Sequence, residues 1–269
     1  MITIRDLSSL QDYAACVALQ DETWGTGFSE RVPIAVLRVS QMIGGVAAGA
    51  FDDEEMVGFV FGMTGVRDGE LVHWSDMLAV REELRGQGIG ERLKQYQREK
   101  VAALGVKSIL WTYDPLQAKN AHFNINHLGA LPVEYVADMY GSHTGSLLHG
   151  VLPTDRFIVR WDIDDTSRSG RRAPLPIAGA DVPMANPIGA DGLPSTALLP
   201  SISSHAGPLI VQVPADFSVV QKEGRSIAMR WRLVLREIMT AWLAEGHRVT
   251  AFVKGRPNVL PFYRLDPPA

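Results

Sequence analysis

Apolar positions recur along this chain at two periods, and the switches between the periods mark its elements. Residues 2–5 alternate as a short strand. Ser9, with Asp12 three residues on, is a capping-box start for a helix that carries Leu10, Tyr13, Ala14 and Val17 inward. Ser29 and Pro33 open a second helix that runs to about Met42. Apolar runs over 45–51 and 56–64 flank Asp52-Asp53-Glu54-Glu55 and read as a hairpin. Residues 70–80 form the next strand, which ends in Leu78-Ala79-Val80.

A short charged connection, 81–84, leads from that strand into Arg85-Gly86-Gln87-Gly88-Ile89-Gly90 and then a helix. Ile89, Leu93, Tyr96, Val101 and Leu104 fall on one stripe of the helix, and Gly105 stands where a left-handed cap belongs. Glycines at alternate positions let consecutive N–H groups point into one small volume, where the helix adds roughly half a positive charge. Such a turn receives a phosphate or pyrophosphate, with Arg85 as a further cation. A P-loop needs Lys-Ser/Thr after its last glycine, and Glu91-Arg92 follows here. The dinucleotide fingerprint needs a glycine where Glu91 stands.

Residues 106–113 read as a strand buried on both faces. Asp114-Pro115 starts a helix that carries Asn120, His122, Asn124, Asn126 and His127 and closes at Leu128-Gly129-Ala130. Residues 133–140 and 156–163 are two more strands, joined by a loop over 141–155 that contains His143 and His149. From 164 to 207, prolines alternate with glycines and small residues and no hydrophobic period survives, as in a linker or wrapping segment. Order returns with a strand at 209–213. A helix with Ile227, Trp231, Val234, Leu235, Ile238 and Trp242 and a Gly246 cap follows, then strands at 249–253 and 260–265. A tail of about sixty residues is near the lower limit for folding alone. The expected organisation is therefore a domain over 1–163, a Pro/Gly-rich linker over 164–207, and an α/β extension over 208–269 packed on the first domain.

Composition changes this picture mainly by exclusion. At 46% hydrophobic and 21% charged the chain is ordinary for a globular protein, and its net charge of −4 argues against a nucleic-acid partner. Cys16 is the single cysteine, so neither an internal disulfide nor a thiolate zinc cluster can form. His122 and His127, five apart, are expected on different helix faces and no HExxH is present, so no metal is expected. The longest nearly apolar run, 42–51, is too short to span a bilayer, and Arg5 and Asp6 interrupt the N-terminus early. A cytoplasmic protein with no membrane partner is expected.

Arg-x-x-Gly-x-Gly after a strand ending Leu-Ala-Val resembles the coenzyme A pyrophosphate loop of the GCN5-related N-acetyltransferase (GNAT) superfamily, and the order of elements over 1–163 is similar to that fold. The segment WTYDPLQAKNAHFNINHLGA resembles the GNAT stretch in which an Asn precedes a short helix ending Leu-Gly-Phe. Here Ala130 replaces the Phe, and Ile125 holds the position of the family's tyrosine. With PTDRFIVRW and Arg230-Trp231-Arg232, the chain also looks like a subgroup of predicted GNAT proteins that carry a C-terminal extension. The resemblance implies an α/β GNAT fold, a mixed, mostly antiparallel sheet flanked by helices, with a small α/β extension. It also implies acetyl transfer from acetyl-CoA to a primary amine of a small-molecule or amino-acid-like acceptor, without a metal. A homodimer is compatible with it. The alternative is a non-catalytic acyl-CoA-binding or regulatory module.

Site roles follow from the same resemblance. Backbone groups of Leu78, Ala79 and Val80 would hold the pantetheine arm. Amides of Arg85, Gly86, Gln87, Gly88, Ile89 and Gly90 would hold the pyrophosphate, with Asn120 reaching the arm from the other side. A backbone N–H near Val80 would polarise the thioester carbonyl. An aliphatic amine, with a pKa of about 10, must lose a proton to attack. Asp76 is the favoured base and His73 the other candidate. They lie three apart on one strand and point to opposite faces, so at most one serves. A carboxylate capping a loop and a satisfied histidine are the plain alternatives. Tyr140, His122 or His127 could protonate the leaving thiolate in place of the tyrosine. Trp24 either lines the acceptor site or closes a helix end in the core. Arg225, Arg230, Arg232 and Arg236 read as a solvated helix face, with anion binding as the alternative.

Overall fold

The computed structural model describes residues 1–141, 145–146, 152–163, 182–196 and 207–268, and His143, His149 and most of the Pro/Gly-rich segment lie outside them. By its contacts the chain divides into two compact units. The first comprises 1–111, 143–150 and 161–165; the second comprises 112–142, 151–160 and 166–269.

In the first unit the elements follow in the order β1 (Ile2–Asp6), α1 (Leu10–Trp24), α2 (Ile34–Met42), β2 (Val46–Asp52), β3 (Glu55–Arg67), β4 (Glu70–Val80), α3 (Ile89–Ala102) and the start of β5 (Ser108–Tyr113). Strands β1 to β4 pair antiparallel in sequence order, and β5 joins β4 parallel. Local chemistry starts α1 where the sequence predicts: Ser9 accepts from the Asp12 N–H, and the Asp12 carboxylate accepts from the Ser9 N–H. Arg5 grips the same carboxylate with both terminal nitrogens, at 2.7 and 3.0 Å. This paired, buried cap sets the phase of the helix. Tyr13, Cys16, Leu19 and Gln20 face inward, whereas Leu10 is 65% exposed and Ala14 is also outside. Of the four residues expected inward, Tyr13 enters the core and Val17 packs against it, while Leu10 and Ala14 do not. One core, from Leu7 through Leu37, Phe59 and Phe61 to Met77 and Ala79, joins α1 and α2 to one face of the sheet.

The second unit holds α4 (Ala118–Ala121), which runs on as a π-helical turn (His122–His127), then β6 (Leu131–Val136) paired antiparallel with β7 (Arg156–Asp162), of which the unit holds all but the last two residues. It also holds β8 (Leu209–Gln212), α5 (Phe217–Glu223), α6 (Arg225–Ala244), β9 (Arg248–Val253) and β10 (Phe262–Asp266). These last three strands form an antiparallel sheet of order β8-β10-β9. Part of the proline-rich stretch lies along β8: Ala185 donates to Ile210, and the Asn186 side chain exchanges two hydrogen bonds with the Gln212 backbone. Arg225 and Arg230 of α6 are exposed as expected, but Arg232 and Arg236 depart from the solvated face. Arg232 is 2% exposed and holds Asp114 bidentately, and Arg236 pairs with Asp155. A buried guanidinium is tolerable only with such a partner. The fold is thus mixed α/β, a mostly antiparallel sheet flanked by helices, with a second small sheet.

Candidate functional site

Strand β4 carries the first part of the site, and one extra residue governs it. Phe61 pairs with Met77 and Gly62 with Ser75, so Asp76 has no partner and forms a β-bulge. The bulge resets the pleat. Before it, Ser75 reaches Lys94 on α3; after it, Leu78 and Val80 come to 3.8 and 4.0 Å of where a Cβ on Gly90 of α3 would lie. Met77 and Ala79 instead enter the core shared with α1 and α2.

The ladder also decides which backbone groups are free. Arg81 N–H donates to Val57 O, so 81 and 57 face each other, and antiparallel alternation makes Phe59 and Ala79 the next hydrogen-bonded pair. The N–H and C=O of Leu78 and Val80 therefore point away from β3, and those of Ala79 are committed to it. On that other edge β5 pairs with β4 only from Val72 to Trp74. Of these three residues, Leu78 and Val80 direct their backbone groups toward that edge.

The glycine turn follows. Gly86 and Gly88 both have φ +79°, and Gly88 is the N-cap of α3. Residues with a Cβ rarely adopt this conformation, and nothing lies within 4 Å of where a Cβ would stand at either position. Arg85 Nε donates to Val80 O at 3.0 Å, which ties the turn to the strand and leaves the guanidinium exposed. The first N–H groups of α3 have no acceptor within the helix. The turn thus combines open space and a positive helix end.

Asp76 and His73 part company. Asp76 is exposed, with Trp74 Nε1 donating to it at 3.3 Å. Desolvation by neighbouring atoms raises its carboxyl above the ordinary value, the Trp74 bond opposes this, and Glu30 adds to it. His73 is fully buried, and burial, with a smaller contribution from Lys94, lowers its pKa to about 3. Thr64 Oγ1 donates to Gly44 O and so accepts from His73 Nδ1 at 2.9 Å, which assigns the proton to Nδ1. A neutral, buried ring of this kind is the satisfied-histidine alternative on its Nδ1 side. Trp24 ends α1 stacked on Phe28, with ring centroids 5.7 Å apart, and meets Phe59 edge-on, as a core aromatic does.

In the second unit, Asn120 is exposed on α4, and Tyr140 Oη is 3.0 Å from Thr112 Oγ1. Ile125 is buried, so no hydroxyl stands at the position of the family's tyrosine. The expectation that His122 and His127 diverge is corrected. Between them the helix winds as a π-turn, which brings residues five apart onto one face, and their Nε2 atoms lie 3.3 Å apart. Among the described residues no group of three or more His, Cys, Asp or Glu could hold a metal ion, and no helix is long and apolar enough to cross a membrane.

The sequence reading missed Lys94 and Gln97, both buried on the α3 face turned to the sheet, while Tyr96 is half-buried and Leu104 exposed. Their spacing to Val101, at i, i+3 and i+7, was the available signal.

No curated protein matches the chain. Among solved structures, the chain is similar to the NatC complex bound to a Gag peptide and CoA, at 18% identity over 60% of this chain and 98% of that one, TM-score 0.49. It is similar to a ribosomal-protein alanine N-acetyltransferase from Escherichia coli, at 17% identity over 66% and 100%, TM-score 0.46. A GNAT-family acetyltransferase from Streptococcus pneumoniae aligns at 16% identity over 60% and 98%, TM-score 0.47. The family model described as acetyltransferase (GNAT) matches residues 14–124, which span α1 to the π-turn and include the bulged strand and the glycine turn. Over these residues the chain matches the GNAT acetyltransferase family model.

Proposed function

We propose that the protein transfers an acetyl group from acetyl-CoA to a primary amine of a small-molecule or amino-acid-like acceptor by direct attack. The observation that carries this reading is the junction of β4 and α3. There two glycines in left-handed geometry open a helix N-terminus, next to a strand edge toward which Leu78 and Val80 direct their backbone groups. These residues fit the co-substrate: the turn suits its pyrophosphate, the Leu78 amide and carbonyl and the Val80 amide suit its pantetheine amides, and Arg85 adds a cation. Bound there, acetyl-CoA supplies an activated carbonyl.

The chain supplies the rest. A backbone N–H near Val80, at the end of β4, stabilises negative charge on the carbonyl oxygen. Asp76, at the bulge and open to solvent, takes the proton of the incoming amine. A buried Ile125 removes the usual phenolic acid, but a thiol with a pKa near 8.5 leaves readily as thiolate at neutral pH. That same absence favours a second reading, a module that binds acyl-CoA without turnover.

Calorimetric titration with CoA, followed by thiol release from acetyl-CoA over a panel of small amines, amino acids and peptide N-termini, tests both. Binding with turnover on a small amine supports the proposal. Turnover confined to peptides corrects the acceptor, and binding without turnover on any amine leaves the module. No binding of CoA removes both.

A further inference from the structure

The face of α3 turned toward β4 carries an amine and an amide where a helix on a sheet ordinarily carries methyl groups. Lys94 and Gln97 are 2% and 0% exposed, and β4 sets His73 and Ser75, also buried, against them. His73 Nε2 and both polar atoms of the Gln97 amide have no hydrogen-bond partner. A Cβ on Gly62 would lie 2.3 Å from His73 Nε2 and 2.8 Å from Gln97 Nε2, so only glycine at this point of β3 admits the group.

Lys94 Nζ lies 2.7 Å from Ser75 Oγ and 3.8 Å from the centroid of the Trp111 ring. Among the described residues no carboxylate pairs with it. The last paired residues of β4 and β5 are Trp74 and Leu110, so Ser75 and Trp111 are the first residues past the pairing on their two strands. The amine therefore spans the fork at which β4 and β5 separate, one residue from the bulge.

We propose that Lys94 is a proton-holding positioning residue of the transfer site and acts through the Ser75 hydroxyl. The inference rests on the acetyl-transfer reading. Either protonation state has partners in the same place. The neutral amine accepts the Ser75 O–H; the ammonium donates to Ser75 Oγ and lies over the indole face of Trp111. Burial pushes the amine well below the ordinary lysine value, which favours the neutral, proton-accepting form at rest. The groups facing it are few. On β4, His73 is kept neutral by burial and Asp76 is turned to solvent; β5 offers the Trp111 ring; β3 offers the apolar run from Gly58 to Gly62; on α3, Gln97 is uncharged and Arg98 lies over Trp161.

The proton balance is simple. The acceptor ammonium gives one proton to Asp76 and on to solvent. The freed nitrogen lone pair forms the C–N bond, and the nitrogen's second proton passes to Ser75 as Ser75 gives its own to Lys94 Nζ. The C–S bond breaks, and the electron pair leaves on sulfur. Lys94 returns the proton to the thiolate through Ser75.

The test uses the full chain with lysine labelled at its terminal carbon, the Lys94 resonance being assigned by its loss in Lys94→Met. That resonance is expected to titrate below the other lysines and to move when CoA binds. Lys94→Met, close in shape, is expected to melt higher than the parent, to lower kcat about 10²-fold with the KM for acetyl-CoA unchanged, and to remove one limb of the pH–rate profile. Ser75→Ala is expected to remove the same limb. A Lys94 resonance that titrates with the other lysines, or stays put under bound CoA, overturns the inference, as does a variant whose pH profile matches the parent. CoA that fails to bind the intact chain overturns the reading of the site itself.

Discussion

Arg232 on α6 donates both terminal nitrogens to the carboxylate of Asp114, 118 residues earlier, at 2.8 and 2.6 Å. Burial pushes the Asp114 carboxyl up, but Arg232 beside it, with Arg156 at 4.0 Å, brings it below its ordinary value. Removing the guanidinium strands a charge, so Arg232→Ala is expected to lower stability by about 3–5 kcal/mol in urea unfolding. Ending the chain after Ile163 removes Arg232 and Arg236 together and leaves Asp114 and Asp155 without these partners. That fragment is expected to aggregate or to melt well below the full chain. A fragment equally stable and monomeric contradicts the structural role of the tail.

At Gly88 the φ of +79° puts a β-branched residue in the least favourable part of backbone space. Gly88→Val is expected to cost about 1–2 kcal/mol locally while the fold survives, because the space around the position is open. The turn then leaves its phosphate-binding shape, and CoA affinity falls by at least about tenfold in calorimetry. Unchanged affinity removes the turn from the cofactor site.

Asp76 must be ionised to take a proton, and its raised pKa moves the acid limb of the rate profile above the ordinary carboxylate value. Activity is expected to fall as pH drops through that limb. Asp76→Asn is expected to lower kcat about 10²-fold at neutral pH, with a smaller loss at high pH where free amine is abundant. A fully active variant excludes the role.

His73 stays neutral in the folded protein down to about pH 3, whereas an unfolded histidine takes up a proton near 6.5. Below 6.5 the unfolded state therefore binds more protons, and stability is lost as pH falls from there toward 3. The loss between pH 7 and pH 5 is about 2 kcal/mol from this group. In His73→Asn that part of the pH dependence is expected to vanish, whatever the change in absolute stability, as denaturant melts at the two pH values will read.

What the sequence determined by itself is what neighbours along the chain can decide. Ser9 and Asp12 start α1 because a cap acts within one turn. Gly86, Gly88 and Gly105 adopt positive φ because they lack a Cβ, and that alone locates the turn before α3 and the cap after it. What the tertiary structure decided is whatever depends on a partner far along the chain. The bulge at Asp76 exists only in the register of β4 against β3, and that register turns the backbone groups of Leu78 and Val80, not those of Ala79, away from β3. Lys94 and Gln97 look like surface residues until β4 and β5 close over them. Arg232 reads as a solvated cation until Asp114 meets it. Buried charge and backbone polarity are settled by the partner that desolvation demands, and a local pattern carries no record of that partner.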